Sequence, residues 1–593
     1  MPQTSIAVLP FRNLSQDASN EYLSDGLTEE IIHALTQVEG LKVSSRRSSF
    51  FFKGKDSSLD EIADQLKVEV ILEGSIRLDN NQMRISTALV ELKSDSQFWS
   101  ETWDRDISNL FQVQDEISLL IADRLREQYG HLEYADHLGQ RETANLSAYE
   151  HDLKARYHFN KWNAQDVALA IEHWDKALAI DPQQGRVHEG LADAYGFLGT
   201  TQEMDFMEAW TKAYEHTHQA LAINPKSAGV HYQLANISFF TEFDYQSAFK
   251  HILNSIECDP NYPEGLQFLA FLYIVYGRPN MAKPYLDRAL DRDPLNQETL
   301  FYQAYYHYRK TEYEAAQTLL EALLLKNPEN LPAKVTYLYV LLKSGSSQMV
   351  LEQLEVYQSS LPEGDYLGLK TLAHLFKGDA DWEGHFAELE TRAQNPMAYQ
   401  EHAYYYESLV NQGAFDEAFA WVEKAIEFKS FIMLLAYGDP LAEDLHEDMR
   451  YPIYHHRIYG ALPKLGPKKQ KSDLLDVEAA REYREKLLGL MREEEPFLNP
   501  QLSLRTLGSQ MELHPNQLSW LLNDGFGKNF NEFVNAYRVQ TFKKLALNPE
   551  NAHISLLGLA FESGFNSKTV FNTSFKKETG MSPKAYLDQQ KDS

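Results

Sequence analysis

Two short stretches near the carboxyl end carry side chains suited to surface recognition. In Pro515–Asn523 (PNQLSWLLN), helical spacing turns Leu518, Leu521 and Leu522 inward. It leaves Asn516, Gln517, Ser519, Trp520 and Asn523 facing out. In Ser567–Lys577 (SKTVFNTSFKK), Val570, Phe571 and Phe575 point inward, and Lys568, Thr569, Asn572, Thr573 and Lys576 point outward. Ser567 is a favourable N-cap. A carboxamide offers a donor beside an acceptor, the pattern that matches an adenine edge in the major groove. Asn516, Gln517 and Asn572 are therefore candidate base readers. Lys543, Lys544, Lys568, Lys576 and Lys577 are suited to phosphate contacts that set position without reading sequence.

The elements that must hold these faces form a repeated unit. Ser503–Met511 reads as a helix with Leu504 and Leu507 inward and Gly508 small enough for a helix crossing. Glu512–His514 turns the chain, and Pro515 takes a first-helical position. Gly525 and Gly527 stop the second helix. Ser555–Glu562, the turn Ser563-Gly564-Phe565 and Ser567–Lys577 repeat the plan, and Gly580 ends it. Leu518 and Phe571, Gly527 and Gly580, and Phe533 and Tyr586 are each 53 residues apart. Phe530–Leu547 is one long connecting helix between the copies. Helix, turn, helix with a polar second face is the motif whose second helix enters the major groove.

Over residues 496–590 this arrangement resembles the AraC/XylS family of bacterial transcription regulators. The block from Leu559 to Tyr586 (LAFESGFNSKTVFNTSFKKETGMSPKAY) carries most of the likeness, and Arg538-Val539 matches the connector-helix pattern. The resemblance implies duplex DNA bound through two helix-turn-helix units, with Pro515–Asn523 and Ser567–Lys577 as recognition helices. The family often has Arg where this chain has Trp520 and Thr573, and Ser where it has His514, which weakens the guanine or phosphate contacts expected there. The expected DNA-facing set is Asn516, Gln517, Ser519, Trp520, Asn523, Arg538, Lys543, Lys544, Ser567, Lys568, Thr569, Asn572, Thr573 and Lys576.

The middle of the chain is repetitive. Pro182, Pro225, Pro260, Pro294 and Pro328 each follow Asp or Asn at spacings of 43, 35, 34 and 34. Thirty-four residues is the tetratricopeptide period. Leu266, Leu269, Ala270 and Tyr273 share one face of a first helix; Ala282, Leu286 and Ala289 share one face of a second. Residues 148–448 thus resemble an all-α tetratricopeptide solenoid of about eight helix pairs, which mainly offers a binding surface. The tyrosines (Tyr302, Tyr305, Tyr306, Tyr308, Tyr404, Tyr405, Tyr406) read as packing, as does Cys258.

Residues 1–130 read as an α/β domain. Ser5–Phe11, Leu41–Ser44, Val68–Leu78 and Met83–Leu92 are strands; Ser24–Leu35, Leu59–Leu66 and Phe111–Leu125 are helices. The blocks SIAVLPFRN, SDGLTEEI, EIADQLKVEVILEGSIR and FWSETWDRDISNLFQVQDEI resemble the TolB amino-terminal-like domain, which implies a sensory or scaffolding module. Asp25, Glu29, Glu30, Asp104, Asp106 and Asp115 read as solvated or helix-end acids rather than a metal set. Gly74 reads as a close backbone approach.

The expected fold class is multidomain α/β plus α: an N-terminal sheet domain, a central helical solenoid, a linker region at 449–495 and a C-terminal tandem helix-turn-helix domain at 496–590. The linker region contains the basic run Lys464–Lys471 and a polar helix near Asp473–Glu495. The chain has 593 residues and a net charge of −30, yet residues 497–593 hold ten basic against eight acidic side chains. The acidic body repels DNA, so only the carboxyl end is expected to engage it. One cysteine excludes multi-cysteine metal or iron–sulfur sites and suits a reducing compartment. No apolar run reaches 18 residues, so a cytoplasmic protein without membrane insertion is expected. No GxGxxG or GxxxxGK[ST] phosphate loop occurs in the amino-terminal domain, and no cluster has metal-ligand spacing, so no enzyme activity, cofactor or metal is expected. The expected partners are double-stranded DNA and a protein or peptide on the solenoid; a homodimer is left open. The rival readings are a tetratricopeptide scaffold whose last domain binds protein, and a nucleotide cyclase.

Overall fold

The computed structural model describes residues 4–92, 96–130, 132–134, 143–161, 163–200, 203–462, 475, 477–551 and 553–591. The linker lysines Lys464–Lys471 lie outside these residues. The chain divides into two compact units, 1–140 with 467–593, and 141–466.

The first unit opens with a mixed sheet. Its strands are β1 (Thr4–Val8), β2 (Arg12–Asn13), β3 (Leu41–Val43), β4 (Val70–Asp79), β5 (Gln82–Glu91) and β6 (Ser96–Asp106). The order is β3-β1-β4-β5-β6, with β2 on β4. β1 runs parallel to β3 and β4, while β4-β5-β6 is an antiparallel meander. The strand β6 was not expected; its segment was read only as part of a family block. Val70, Ile71 and Leu72 are fully buried. Against the sheet lie α1 (Glu21–Thr36), α2 (Arg46–Phe50), α3 (Leu59–Leu66) and α4 (Leu110–Tyr129). In α3 the Ser58–Glu61 capping box fixes the start and Ile62, Ala63 and Leu66 form the buried stripe. α1 begins three residues before Ser24, where the sequence pattern starts the helix. Ser24 is instead inside the helix, and its carbonyl accepts from Thr28 Oγ1, which itself accepts the Phe11 N–H. Asp25 pairs with Lys53, Glu29 with Arg46 and Asp104 with Arg84. A Cβ on Gly74 would stand 2.4 Å from the Phe11 ring, so the expected close approach is present.

Among its described residues, the second unit begins with eight helix pairs, from Leu146–Phe159 with Ala164–Ile180 to Tyr399–Asn411 with Phe415–Glu427. Alanines sit where paired helices touch: Ala170, Ala213, Ala248, Ala282 and Ala316 are buried. The helix Pro263–Val275 departs from the one-faced expectation, since every residue from Gly265 to Val275 is buried. The reason is the stack itself, since Ala228–Phe240, Tyr245–Cys258, Pro279–Arg292 and Gln297–Arg309 all pack on it. A segment, Ser430–Leu462, folds back onto the ends of the first helices. His455 Nε2 and the Tyr276 carbonyl are 3.1 Å apart, Arg309 donates to the Gly438 carbonyl at 2.8 Å, and Asn411 donates to the Leu441 carbonyl at 2.7 Å. Tyr308 donates to Asp439, which is almost fully buried, and Phe431 packs against Phe206, Phe240 and Tyr399. The tyrosines are buried as expected, and part of what they pack on is this segment. Cys258, expected in packing, is exposed at the end of Tyr245–Cys258 because it is the last residue before the inter-repeat turn.

Three histidine pairs recur in register with the repeat. His173, His216 and His251 each stand nine residues before Pro182, Pro225 and Pro260, and His188 and His231 six after Pro182 and Pro225. Nδ1 atoms are 3.0 Å apart in His151–His173 and in His188–His216, and the His231 and His251 rings stack at 5.7 Å.

Candidate nucleic-acid interface

The carboxyl region is built as two small lobes around one rod. In the first lobe Ser503 caps Leu504–Met511 in a reciprocal box with Thr506. Glu512 turns the chain at φ +60, and Pro515 opens the first reading helix, Pro515–Phe526. A Cβ on Gly508 would meet the Leu513 carbonyl at 2.9 Å, which is why glycine stands at the crossing. Leu504, Leu507, Met511, Leu518, Leu521 and Leu522 form the core. Helix Val477–Glu493, read from sequence as a polar connector, adds Ala480, Leu487 and Met491 to that core. The rod is Phe530–Leu547.

In the second lobe Ser555 caps Leu556–Glu562, and the second reading helix is Lys568–Thr579, closed by Gly580 at φ +78. Phe542 of the rod packs on Phe571 and Phe575. Gly564 has φ +94, and a Cβ there would meet the Phe497 carbonyl at 2.2 Å; both facts require glycine. Lys577 pairs with Glu532 at 2.6 Å and Lys528 with Glu578 at 3.4 Å, tying the second reading helix to the start of the rod. Partial burial opposes the charge on Glu532, but Lys577 and the Asn529 N–H hold its carboxyl below the usual range.

The two reading faces differ sharply. Lys568, Thr569, Asn572, Thr573 and Lys576 are all exposed, and no hydrogen bond or ion pair engages them among the described residues. Ser567 sits at the N-cap position without a side-chain cap bond. On the first reading helix the expected set is engaged within the chain. Ser519 is buried, contrary to the outward face read from spacing, because helix Pro515–Phe526 is covered on more than its leucine side. Gln517 Oε1 accepts the His514 N–H in a capping box at 3.1 Å. Trp520 is half-buried against the lobe core. Asn523 donates to the Ser519 carbonyl, and its amide lies against Gly130.

Asn516 is held from outside its lobe. Its Oδ1 accepts from Arg126 Nη1 at 2.6 Å and from the Tyr134 N–H at 3.4 Å, and its Nδ2 donates to the Tyr134 carbonyl at 3.0 Å. Arg126, at the end of α4, is 1% exposed, pairs with Asp123 at 2.8 Å and lies over the Tyr134 ring. Asp123 also reaches Arg505 at 3.3 Å. Glu127 accepts the Leu504 N–H at 2.9 Å; burial raises its pKa, against the pull of Arg124 and that N–H. Asn529 donates to the Gln128 carbonyl at 2.8 Å. No sequence signal pointed to Arg126, Glu127 or Tyr134, which lie more than 350 residues from the helices they touch.

Arg538, a member of the expected DNA-facing set, lies inside instead. It is 8% exposed, and its guanidinium donates to the carbonyls of Phe497 at 2.8 Å and Asn499 at 3.0 Å. Burial lowers its pKa to about 10. The Phe497 carbonyl takes this donor from inside the lobe, and the Asn499 carbonyl takes it beside the Leu502 N–H. Lys543 lies over the Tyr586 ring at 5.1 Å, and Lys544 is exposed. Elsewhere, His374, Asp379 and Asp381 come together in metal-ligand range, with Lys377 already on Asp379 at 3.1 Å.

Residues 507–589 match a family described as helix-turn-helix domain, of the AraC type. Residues 2–120 match one described as the second domain of HilA/YgeH-like transcriptional regulators. A stretch of 211 residues is 34% identical to a putative adenylate cyclase 3 of Rhizobium meliloti (strain 1021), covering 35% of this chain and 34% of that protein. The chain therefore spans about a third of that relative, and the activity in its name belongs to the relative. Among solved structures, a tetratricopeptide repeat protein from Parabacteroides merdae is 14% identical with a TM-score of 0.29, covering 49% of this chain and 99% of that one. Yeast Tom70 is 14% identical with a TM-score of 0.29, covering 60% and 75%. Likeness of that size adds nothing to the helix pairing already described.

Proposed function

We propose that the chain is a sequence-specific, AraC-type DNA-binding transcription regulator whose second helix-turn-helix is its open reading head. The observation that carries this is the exposed polar face Lys568, Thr569, Asn572, Thr573 and Lys576, on a helix whose buried side is fixed by Phe542, Phe571 and Phe575. Asn572 offers an adenine-matching amide, and Lys568 and Lys576 flank it for phosphates. The net charge of −30 keeps the rest of the chain off DNA, so engagement is confined to this end.

The α/β domain and the solenoid are the receiving side of this reading. A protein or peptide partner on the solenoid must contend with residues 430–462, which already lie along the ends of its first helices. No helix among the described residues is long and apolar enough to cross a membrane, which fits a protein acting in the cytoplasm. The test is selection of duplexes from a random pool by the purified full chain at modest salt. Enrichment of a short motif, lost with Lys568→Ala/Asn572→Ala/Lys576→Ala, is the expected outcome. A folded chain that enriches nothing overturns the reading.

A further inference from the structure

The geometry points to an intrachain competitor for DNA: we infer that the end of α4, with Gly130 and residues 132–134, docks on the first reading helix and must leave before that helix can take duplex. The inference rests on the DNA-binding reading above and concerns how one of its two heads is controlled.

Three kinds of group that a duplex would use are satisfied here by the amino-terminal domain. The first is a helix-start N–H. Leu504 N–H, in the first turn of Leu504–Met511, points at an anion, as such groups favour; the anion is the Glu127 carboxylate. The second is a cation beside it, Arg505, which pairs with Asp123. The third is the amide of Asn516, whose oxygen and nitrogen are both engaged by Arg126 and Tyr134. A carboxylate on a helix N-terminus, a carboxylate on an arginine and a donor-acceptor pair on an asparagine imitate two phosphates and a base edge.

The dock is anchored rather than incidental. Glu127 is 3% exposed and Arg126 1%. Glu133 is itself bridged to the α/β domain, with Glu39 N–H donating to the Glu133 carbonyl at 2.7 Å. A Cβ on Gly130, at φ +65, would clash with the Asn523 amide at 2.6 Å, so the chain passes close over a second reading residue. Among the described residues, none covers the second reading helix in this way. The chain thus presents one open head and one closed head. A signal that draws α4 away from the first lobe would convert single-head contact into contact by both.

The experiment uses the full chain and the duplex it selects from a random pool. Glu127→Gln/Asp123→Asn removes both phosphate-like charges while leaving every residue of the two lobes intact. The variant is expected to bind the selected duplex about tenfold tighter than the parent and to protect a longer stretch of it. Hydrogen exchange on the unaltered chain gives a second readout that needs no substitution. The Tyr134 N–H loses its acceptor when Asn516 turns to DNA, so exchange across residues 126–134 is expected to rise when saturating duplex is added. Equal affinity in parent and variant, with exchange across 126–134 unchanged by duplex, overturns the inference while leaving DNA binding in place. If no duplex is selected, DNA binding itself fails and the competitor role with it.

Discussion

Arg126 Nη1 and Asn516 Oδ1 stand 2.6 Å apart across 390 residues of sequence. That single bond joins the end of an α/β-domain helix to the second residue of a reading helix. It makes the two helix-turn-helix units, alike in sequence pattern, unlike in what they present to solvent.

The open head gives the first prediction. Asn572→Ala should cost about 1–3 kcal/mol on the selected duplex and relax preference at one base pair. Lys576→Ala should instead weaken binding equally across sequences and reduce the salt slope by about one. Competition binding across single-base variants of the duplex, at several salt concentrations, separates the two. A uniform loss for Asn572→Ala would remove its base-reading role.

Arg538 gives the second. With its guanidinium inside and donating to two carbonyls, Arg538→Ala should lower stability by about 1–3 kcal/mol. The fraction that stays folded should keep the parental salt slope, because no phosphate contact has been lost. Thermal unfolding followed by circular dichroism, with binding measured on the folded fraction, checks both parts.

What sequence revealed and what it missed divide along range. Phe530–Leu547 and Leu59–Leu66 have the bounds read from apolar spacing, because helical period and caps are local. The helix pairs followed from prolines at a 34-residue interval, a local signal repeated. Ser519 and Arg538 were misplaced for the opposite reason. Spacing shows which side of a helix is polar, but not what another part of the chain brings against it. Asn516 has the same polar character whether it faces a base or Arg126. The return of Ser430–Leu462 onto the ends of the first helices likewise pairs residues well over a hundred positions apart, as His455 with Tyr276.

That returning segment gives the third prediction. Tyr308 donates to the buried Asp439, and burial raises the Asp439 pKa. Tyr308→Phe leaves that carboxyl without its hydroxyl partner and should cost about 1–3 kcal/mol. Residues 430–462 should then be cut sooner by a dilute protease than the helix pairs. Parental cleavage kinetics would mean the hydroxyl does not hold the segment.

The histidine pairs give the fourth. Burial lowers the pKa of His151, His173, His188, His216, His231 and His251, with neighbouring histidines and Lys154, Lys176, Lys212 and Lys250 adding to it at several of them. A base held below its unfolded value of 6.5 binds fewer protons when folded. Stability from these pairs is therefore full above pH 6.5 and declines as pH falls below it. Urea unfolding between pH 7.5 and 5 should show this decline, and His188→Gln/His216→Gln should flatten it. A double variant as acid-sensitive as the parent would remove these pairs from the account.

The most direct test of the central claim is the affinity of the full chain for its selected duplex against a shuffled duplex of equal length and composition, at near-physiological salt. The account predicts a preference of about a thousandfold or more, falling steeply with added salt and lost in Lys568→Ala/Asn572→Ala/Lys576→Ala. Equal affinity for the two duplexes, or a preference untouched by that triple change, would contradict it.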